Sequence, residues 1–141
     1  MKTGTRVSVA VIGTPDYPDA GRRVYARLRR LKNDFPDVHF HIVADESKGP
    51  AESAIRSARK MGMSITVFTP DWDGLGKDAS LERSLQVIDA ADRMIAFWDM
   101  RPGEVGDTIK RAILDGIHVE IYDWENEAAG ERTVQILGLE A

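Results

Sequence analysis

The sequence contains no cysteine, which excludes a disulfide, a thiolate metal site and a cysteine nucleophile. Long apolar runs are also missing: the first apolar-rich segment, after Arg6, covers roughly six residues, whereas a transmembrane helix needs roughly 20. Neither a membrane span nor a cleaved leader is therefore expected, and membrane partners are excluded. An intracellular, cytoplasmic setting fits both absences.

An excess of positive charge is missing as well, because the formal net charge is −4. This balance argues against a general nucleic-acid or anionic-membrane binder. We find no internal repeat, low-complexity tract or interdomain linker. With 141 residues, of which 43% are hydrophobic and 30% charged, the chain predicts one globular domain. Its core is expected over about residues 6–122, with a C-terminal extension over 123–141.

Segments rich in Val, Ile and Phe alternate with segments of helical periodicity, a pattern that predicts a parallel sheet covered by helices. The strand candidates are residues 6–12, 38–43, 64–68, 93–98 and 117–122. The fold class is therefore α/β: a Rossmann-like three-layer sandwich with a mainly parallel five-stranded sheet. Residues 133–137 alternate as a short strand does, and could add an edge strand or pair with a second copy.

Four helices are expected between these strands. The first runs from Asp19 to about residue 32, and the second has Gly49 as its N-cap. The third begins near residue 78 or 80 and is expected to turn Leu81, Leu85 and Ile88 inward. The fourth ends before Gly116, a natural C′ residue.

The two most apolar strand candidates both lead into a turn and a helix N-terminus. The first is followed by residues 13–16, with the sequence GTPD, and the fourth ends at Asp99, ahead of Gly106 and Thr108. Ligands of α/β proteins bind at such places, because free N–H groups and the positive end of the helix dipole point beyond the strand. The sequence therefore predicts a ligand site at the carboxyl edge of the sheet.

Several short motifs together resemble one family. Residues 13–19 (GTPDYPD) resemble a G-S-R-D-aromatic-x-D turn, and Asp71-Trp72 with Gly76 and the later Arg83-Ser84 resemble D-W-x-x-Y-G…R-N. Residues 91–99 (ADRMIAFWD) with Thr108-Ile109 resemble A-D-x-(V/I)-(I/L)-A-F-W-D…T-I. This is the pattern of the YspA/YpsA-related branch of the SLOG superfamily, named for the SMF/DprA and LOG proteins.

The resemblance covers roughly residues 6–122 and implies a Rossmann-like fold that binds nucleotides or nucleotide-derived small molecules. LOG enzymes hydrolyse a nucleoside monophosphate to base and ribose phosphate. The glycine loop of the branch, G-G-A-x-x-G-x-D, is degraded here: residues 44–51 read ADESKGPA. Two carboxylates replace flexible backbone that would close on phosphate, and this substitution disfavours phosphate unless a cation or an arginine intervenes.

The predicted ligand site lies at the carboxyl ends of the first, second and fourth strands. The predicted ligand-binding residues are Gly13, Thr14, Asp16, Lys48, Gly49, Asp71, Trp72, Arg83, Asp99, Gly106 and Thr108. No cofactor and no metal site are expected. A nucleotide-derived small molecule is the expected partner, nucleic acid is not, and a homo-oligomer is left open.

Most of these residues also have a purely structural interpretation. For Asp99 the alternatives are an acceptor of hydrogen bonds from ribose hydroxyls, a catalytic carboxylate and a turn cap. For Asp16 they are a helix cap and a sugar contact. For Arg83 the alternatives are a residue that binds an anionic group of the ligand and an exposed arginine paired with a carboxylate. Trp98 walls the pocket or belongs to the core. His39 and His41 share a strand face, where a structural role is favoured over a metal pair.

Three functions are compatible with the residues. The first is binding or sensing of a nucleotide-derived molecule without chemistry. The second is an N-glycosidase or nucleoside deoxyribosyltransferase-like enzyme, which needs paired carboxylates; Asp99 with Glu46 or Glu104 are the candidates. The third is a protein-interaction domain that uses the six basic residues of the run 22–32, although such a run is usually a solvated helix face.

Overall fold

The computed structural model describes residues 5–69, 79–123 and 134–135. The described strands are β1 (Arg6–Gly13), β2 (His39–Asp45), β3 (Ser64–Phe68), β4 (Arg93–Trp98), β5 (His118–Asp123) and β6 (Val134–Gln135). The described helices are α1 (Ala20–Asp34), α2 (Pro50–Met61), α3 (Ala79–Asp89) and α4 (Glu104–Leu114). Each predicted strand is present, and its ends differ from the predicted ones by at most two residues.

The strands form one sheet in the order β3-β2-β1-β4-β5-β6. The pairs from β3 to β5 are parallel, and β6 adds to β5 as an antiparallel edge strand. The chain moves outward through β2 and β3, then returns to the other side of β1 at β4. Because the direction of winding reverses between β1 and β4, their carboxyl ends leave a crevice between the following loops.

Helices cover both faces of the sheet, as the alternation predicts. Val9 and Val11 of β1 pack with Val24 of α1 and Ala54 of α2 in one core cluster. The residues that alternate with them, Ala10 and Ile12, point to the opposite face. There they pack with Val87 of α3 and Ile109 of α4 in a second cluster. The period-two alternation of β1 thus feeds two separate cores, which is the three-layer α/β architecture.

One predicted core position is wrong. Leu81 is 61% exposed, whereas Ala79, Val87 and Ile88 of α3 are buried, Ile88 as predicted. The buried face of the helix is therefore rotated relative to the predicted stripe of Leu81, Leu85 and Ile88. In the described ranges, the helices are all too short or too polar to cross a membrane.

Candidate functional site

A cavity of about 300 Å³ opens at the carboxyl edge of the sheet, on the side of α3 and α4. Its lining comes from the ends of β1, β2 and β4, from one face of α3 and from the first turn of α4. The polar lining side chains are Thr14, Asp45, Ser47, Arg83, Ser84, Trp98, Asp99, Arg101, Glu104 and Thr108. The volume falls at the small end of the range usual for ligand pockets, which suits a compact molecule.

The loops after β1 and β4 are joined at the base of this cavity. The Thr14 N–H donates to the Phe97 carbonyl at 2.9 Å, and the Asp99 N–H donates to the Thr14 hydroxyl oxygen at 3.1 Å. Thr14 is only 9% exposed, so both bonds are shielded from water. They hold the crevice between β1 and β4 in one geometry.

Two aspartates end their strands in the same way. Asp45 closes β2 and accepts the Ser47 N–H on Oδ1 at 2.8 Å; Asp99 follows β4 and accepts the Arg101 N–H on Oδ1 at 2.9 Å. This Asx-turn geometry is the turn-cap interpretation of Asp99. Both aspartates also line the cavity, so capping and ligand contact are compatible for each side chain.

Arg83 crosses the cavity between two acidic side chains. Its Nε lies 3.3 Å from Asp45 Oδ2, and its terminal Nη2 donates to Glu104 Oε2 at 2.8 Å. The Arg83 and Asp45 side chains are 11% and 13% exposed, whereas that of Glu104 is 54% exposed. The expectation of an exposed arginine is therefore wrong: Arg83 is a buried cation that joins the end of β2 to the start of α4.

The remaining wall is formed by Trp98 and by two hydroxyl groups. Trp98 Nε1 donates to the Arg101 carbonyl at 3.1 Å, which holds the indole beside the cavity. The Thr108 hydroxyl donates to the Glu104 carbonyl at 2.9 Å, and its oxygen lies 3.2 Å from Ser84 Oγ. Trp98 is half-buried, so the pocket-wall and core interpretations both hold for it.

An aromatic cluster anchors the first motif from the opposite face of the sheet. Tyr17 packs edge-on against Phe97, which stacks on Tyr122 with ring centroids 5.1 Å apart. The Tyr17 hydroxyl donates to the Tyr122 carbonyl at 3.2 Å. Burial raises the pKa of Tyr17 to about 12, although the nearby Arg23 charge opposes this change.

The structure brings part of the predicted site together. The predicted residues that line the cavity are Gly13, Thr14, Arg83, Asp99, Thr108 and the catalytic candidate Glu104. The other described residues of the prediction, Asp16, Glu46, Lys48, Gly49 and Gly106, are not part of that lining. Asp71 and Trp72 lie outside the described residues.

Three of the predicted residues outside the lining have side chains exposed to solvent. Asp16, Glu46 and Lys48 are exposed on the loops after β1 and β2. Asp16 is also not the cap of α1, because the N-cap position belongs to Asp19. The pair of Asp99 with Glu46 is thus not assembled in the cavity, whereas Asp99 and Glu104 share its lining.

Protein atoms, rather than open space, adjoin three glycines of the predicted site. A Cβ on Gly13 would lie 2.6 Å from the Phe97 carbonyl oxygen and would also strike the Pro50 ring. A Cβ on Gly49, whose φ is +81°, would strike the Pro15 carbonyl. These close approaches show why glycine is needed without invoking a ligand.

Gly106 is the third of these glycines. A Cβ there would lie 2.8 Å from Cζ2 of Trp98. Its role is to let the first turn of α4 pack against the indole, and Gly106 is itself buried. Gly106 is not among the residues that line the cavity, and the prediction that it forms the floor of the ligand site stays a prediction.

The predicted site residues do not include Asp45, Ser47, Ser84 or Arg101, which line the cavity. Asp45 carries a signal that could have identified it, because it ends an apolar strand just as Asp99 follows one. Ser47 and Arg101 follow from Asp45 and Asp99 through their Asx turns. Ser84 stands in the motif that contains Arg83, but its place in the cavity depends on the packing of α3 against α4.

His41 has a structural role on β2, whereas His39 is exposed on the same strand. The two ring nitrogens of His41 lie 2.6 Å from Ser64 Oγ and 2.7 Å from Thr66 Oγ1, both on β3. Burial and, secondarily, the Arg6 charge lower the pKa of His41. Within residues 5–69, 79–123 and 134–135, no group of three or more His, Asp or Glu side chains could hold a metal ion.

The sequence matches no known family model and no curated protein. Among solved structures, the DNA processing protein A (DprA) of Streptococcus pneumoniae superposes with a TM-score of 0.64 at 17% identity. The alignment covers 84% of this chain and 50% of that one, so the chain spans about half the length of DprA. The cypemycin decarboxylase CypD gives a TM-score of 0.45 at 14% identity, over 84% of this chain and 82% of that one. The likeness to DprA shows that the two chains share a fold, while membership of the SLOG superfamily and of its YspA-related branch remains a prediction.

Proposed function

We propose that this protein binds a nucleotide-derived small molecule in the cavity at the carboxyl edge of its sheet, and does so without chemistry of its own. The observation that carries the proposal is the position of the cavity, where the winding reverses between β1 and β4. Open α/β sheets bind their ligands at this point. The fold is SLOG-like, and the resemblance to that superfamily supplies the class of ligand.

The lining suits recognition of a small polar molecule with an apolar part. Trp98 and Val87 offer apolar surface, and the carboxylates of Asp45 and Asp99 are acceptors for hydroxyl and amino groups. Few polar groups on a partly apolar wall are typical of pockets that orient one ligand. DprA is described as a DNA processing protein, but the −4 net charge of this chain disfavours DNA itself as its ligand.

A thermal-shift screen of the purified chain tests the proposal. The probes are nucleosides, nucleoside monophosphates, NAD, ADP-ribose and cyclic nucleotides. A compound at about a hundred times its dissociation constant adds about 2.7 kcal/mol to the free energy of unfolding, which is a rise of several degrees in Tm. Failure of all of these probes to raise Tm would contradict the proposal.

A matched pair of variants links any such shift to the cavity. Ser84 lines the cavity from α3, and Ser84→Trp fills it with an indole. Gln86 is exposed on the same helix, so Gln86→Trp adds the same side chain outside the cavity. Binding should be lost in Ser84→Trp and kept in Gln86→Trp. Equal binding by both variants would place the ligand elsewhere.

An N-glycosidase or deoxyribosyltransferase-like activity is the second candidate, because Asp99 and Glu104 line one cavity. Glycosidic chemistry needs two carboxyl groups on either side of the scissile bond. Glu104 is bonded to Arg83, so it would have to leave that guanidinium before it could transfer a proton. Release of free base by the wild type, and its loss in Asp99→Asn with ligand binding retained, would establish this activity in place of simple binding.

The protein-interaction alternative draws less support from the basic run over residues 22–32. Arg22 is paired with Asp19, and Arg27 donates to both oxygens of Glu120 on β5. These internal pairs reduce the charge that the run offers to a partner. Homo-oligomer formation remains a prediction, which light scattering of the purified chain can test.

A further inference from the structure

We propose that the cavity accepts a nucleoside or free base and disfavours its phosphorylated forms, and that Glu104 determines this specificity. The inference rests on the proposed function, since it names the ligand class of the same cavity. Four features carry it: the carboxylates around Arg83, the surroundings of three glycines, the carboxylates in the first turn of α4 and the net charge of the lining.

The charge of the cation that a phosphate would need is already offset. Arg83 lies 3.3 Å from Asp45 Oδ2 through Nε and donates to Glu104 Oε2 through Nη2 at 2.8 Å. Its buried Nε has no hydrogen-bond partner among the described residues, so Arg83 keeps donor capacity, but two carboxylates reduce the attraction of its charge for an anion. Asp45 is nearly buried and is fixed by the Ser47 N–H, so Glu104 is the carboxylate that could move away from Arg83.

The backbone offers no phosphate cradle at the three glycines of the predicted site, whereas Gly103, the N-cap of α4 in the cavity lining, has open space beside it. In a phosphate-binding loop, missing side chains let N–H groups approach the anion. Here the space beside Gly13 is filled by Pro50 and that beside Gly49 by Pro15. The space beside Gly106 is filled in the same way by the Trp98 ring.

Carboxylates of the chain itself already offset the positive end of the α4 helix dipole. Glu104 and Asp107 both lie in the first turn of this helix, where carboxylates offset the helix dipole. An incoming anion would therefore meet negative side chains at the helix end that usually attracts it. Glu104 acts twice, because the same carboxylate also occupies Arg83.

The net charge of the lining points the same way. Three carboxylates (Asp45, Asp99 and Glu104) and two guanidinium groups (Arg83 and Arg101) line the cavity, an excess of one negative charge. A phosphate monoester adds about −1.5 to −2 at pH 7, which this lining repels. Ribose hydroxyls and exocyclic amines instead donate hydrogen bonds to carboxylates. The chemistry that fits is a phosphate-free nucleoside or base.

Isothermal titration of the full chain tests this with adenosine, guanosine, cytidine and uridine, each beside its 5′-monophosphate. For the wild type, at least one nucleoside should bind tighter than its monophosphate by about tenfold or more, because like-charge juxtaposition costs at least that much affinity. Glu104→Gln should raise the affinity for the monophosphate relative to the nucleoside by about tenfold, since it frees Arg83 and removes one negative charge. Glu82→Gln removes a charge from the exposed part of α3, outside the cavity lining, and should leave the ratio of affinities unchanged.

The outcomes separate the two proposals. Wild-type preference for the monophosphates would overturn the inference and leave the proposed function standing. An unchanged ratio in a folded Glu104→Gln, verified by circular dichroism, would remove Glu104 as the specificity determinant. Absence of binding by all eight compounds, in a wild type that is folded by the same criterion, would overturn the inference and count against the proposed function too.

Discussion

Thr14 and Asp99 connect the ends of the two central strands: the Asp99 N–H donates to the Thr14 hydroxyl oxygen at 3.1 Å. The loops that bear them start from β1 and β4, where the sheet reverses its winding, and both residues line the cavity. A side chain from one loop thus satisfies the backbone of the other. The bond links the two loops on either side of the crevice.

Thr14→Val should remove the acceptor without changing the volume of the side chain. The Asp99 N–H would lose its partner at a half-buried position, which costs about 1–3 kcal/mol of unfolding free energy. Urea denaturation measures the loss. Thr14→Ser keeps the hydroxyl group and should lie closer to the wild type; a larger loss in Thr14→Ser than in Thr14→Val would show that the methyl group, not the bond, is what matters.

Arg83→Met should leave Asp45 with no cation beside it. Both side chains are nearly buried, and the removal of one partner from a buried ion pair costs about 3 kcal/mol or more. The double variant Arg83→Met with Asp45→Asn should lose less than the two single losses combined, because no isolated charge remains. A double-mutant cycle by denaturant unfolding checks this; additive losses would mean that the 3.3 Å contact carries no coupling.

Two glycine-to-alanine substitutions in helices should have opposite effects. Gly106→Ala places a methyl group 2.8 Å from the Trp98 ring, and such overpacking costs about 1–3 kcal/mol. Gly21→Ala in α1 meets no atom within 4 Å, so it gains helix propensity of up to about 1 kcal/mol. Thermal unfolding compares them. Stabilisation by Gly106→Ala would show that the indole moves aside freely.

The stability of the protein should fall on mild acidification because of His41. Burial lowers the pKa of His41 in the folded state, so the unfolded chain binds the proton more readily. As the pH drops below roughly 6.5, the ordinary histidine value, the unfolded chain is protonated first and the free energy of unfolding decreases. The loss is complete once the pH lies below the pKa of the folded state.

Urea unfolding at a series of pH values between 8 and 4 measures this dependence. His41→Gln should reduce the slope over that range, since its amide does not titrate. His39→Gln is the matched control, because His39 is exposed on the same strand. A slope in His41→Gln equal to that of the wild type would assign the dependence to other groups.

The sequence predicts the sheet well, because β1 and β4 are continuous apolar segments that are typical of buried parallel strands. Buried parallel strands are continuous apolar runs, and Met94 to Phe97 are almost inaccessible to water. The face of α3 is harder, because Leu81 fits the helical stripe as well as Val87 does. Only the packing of α3 against β2 and α4 decides which of them is buried.

The site is predicted as a location but only partly as a set of side chains. Thr14 and Asp99 can be predicted from the sequence alone, because each comes shortly after the end of an apolar strand. The Arg83 pairs with Asp45 and Glu104 join three elements distant in sequence, so no spacing rule reveals them. The glycines show the converse limit: a residue without a side chain gives no indication of whether a ligand or the protein fills the space beside it.

The Gly13 and Gly49 contacts have a consequence for the two loops that carry these glycines. Pro50, which begins α2, fills the space at Gly13, and Pro15, in the loop after β1, fills the space at Gly49. Each loop therefore supplies the proline that packs against the glycine of the other. A larger side chain at either glycine would displace both loops together, and with them the Thr14 side of the cavity.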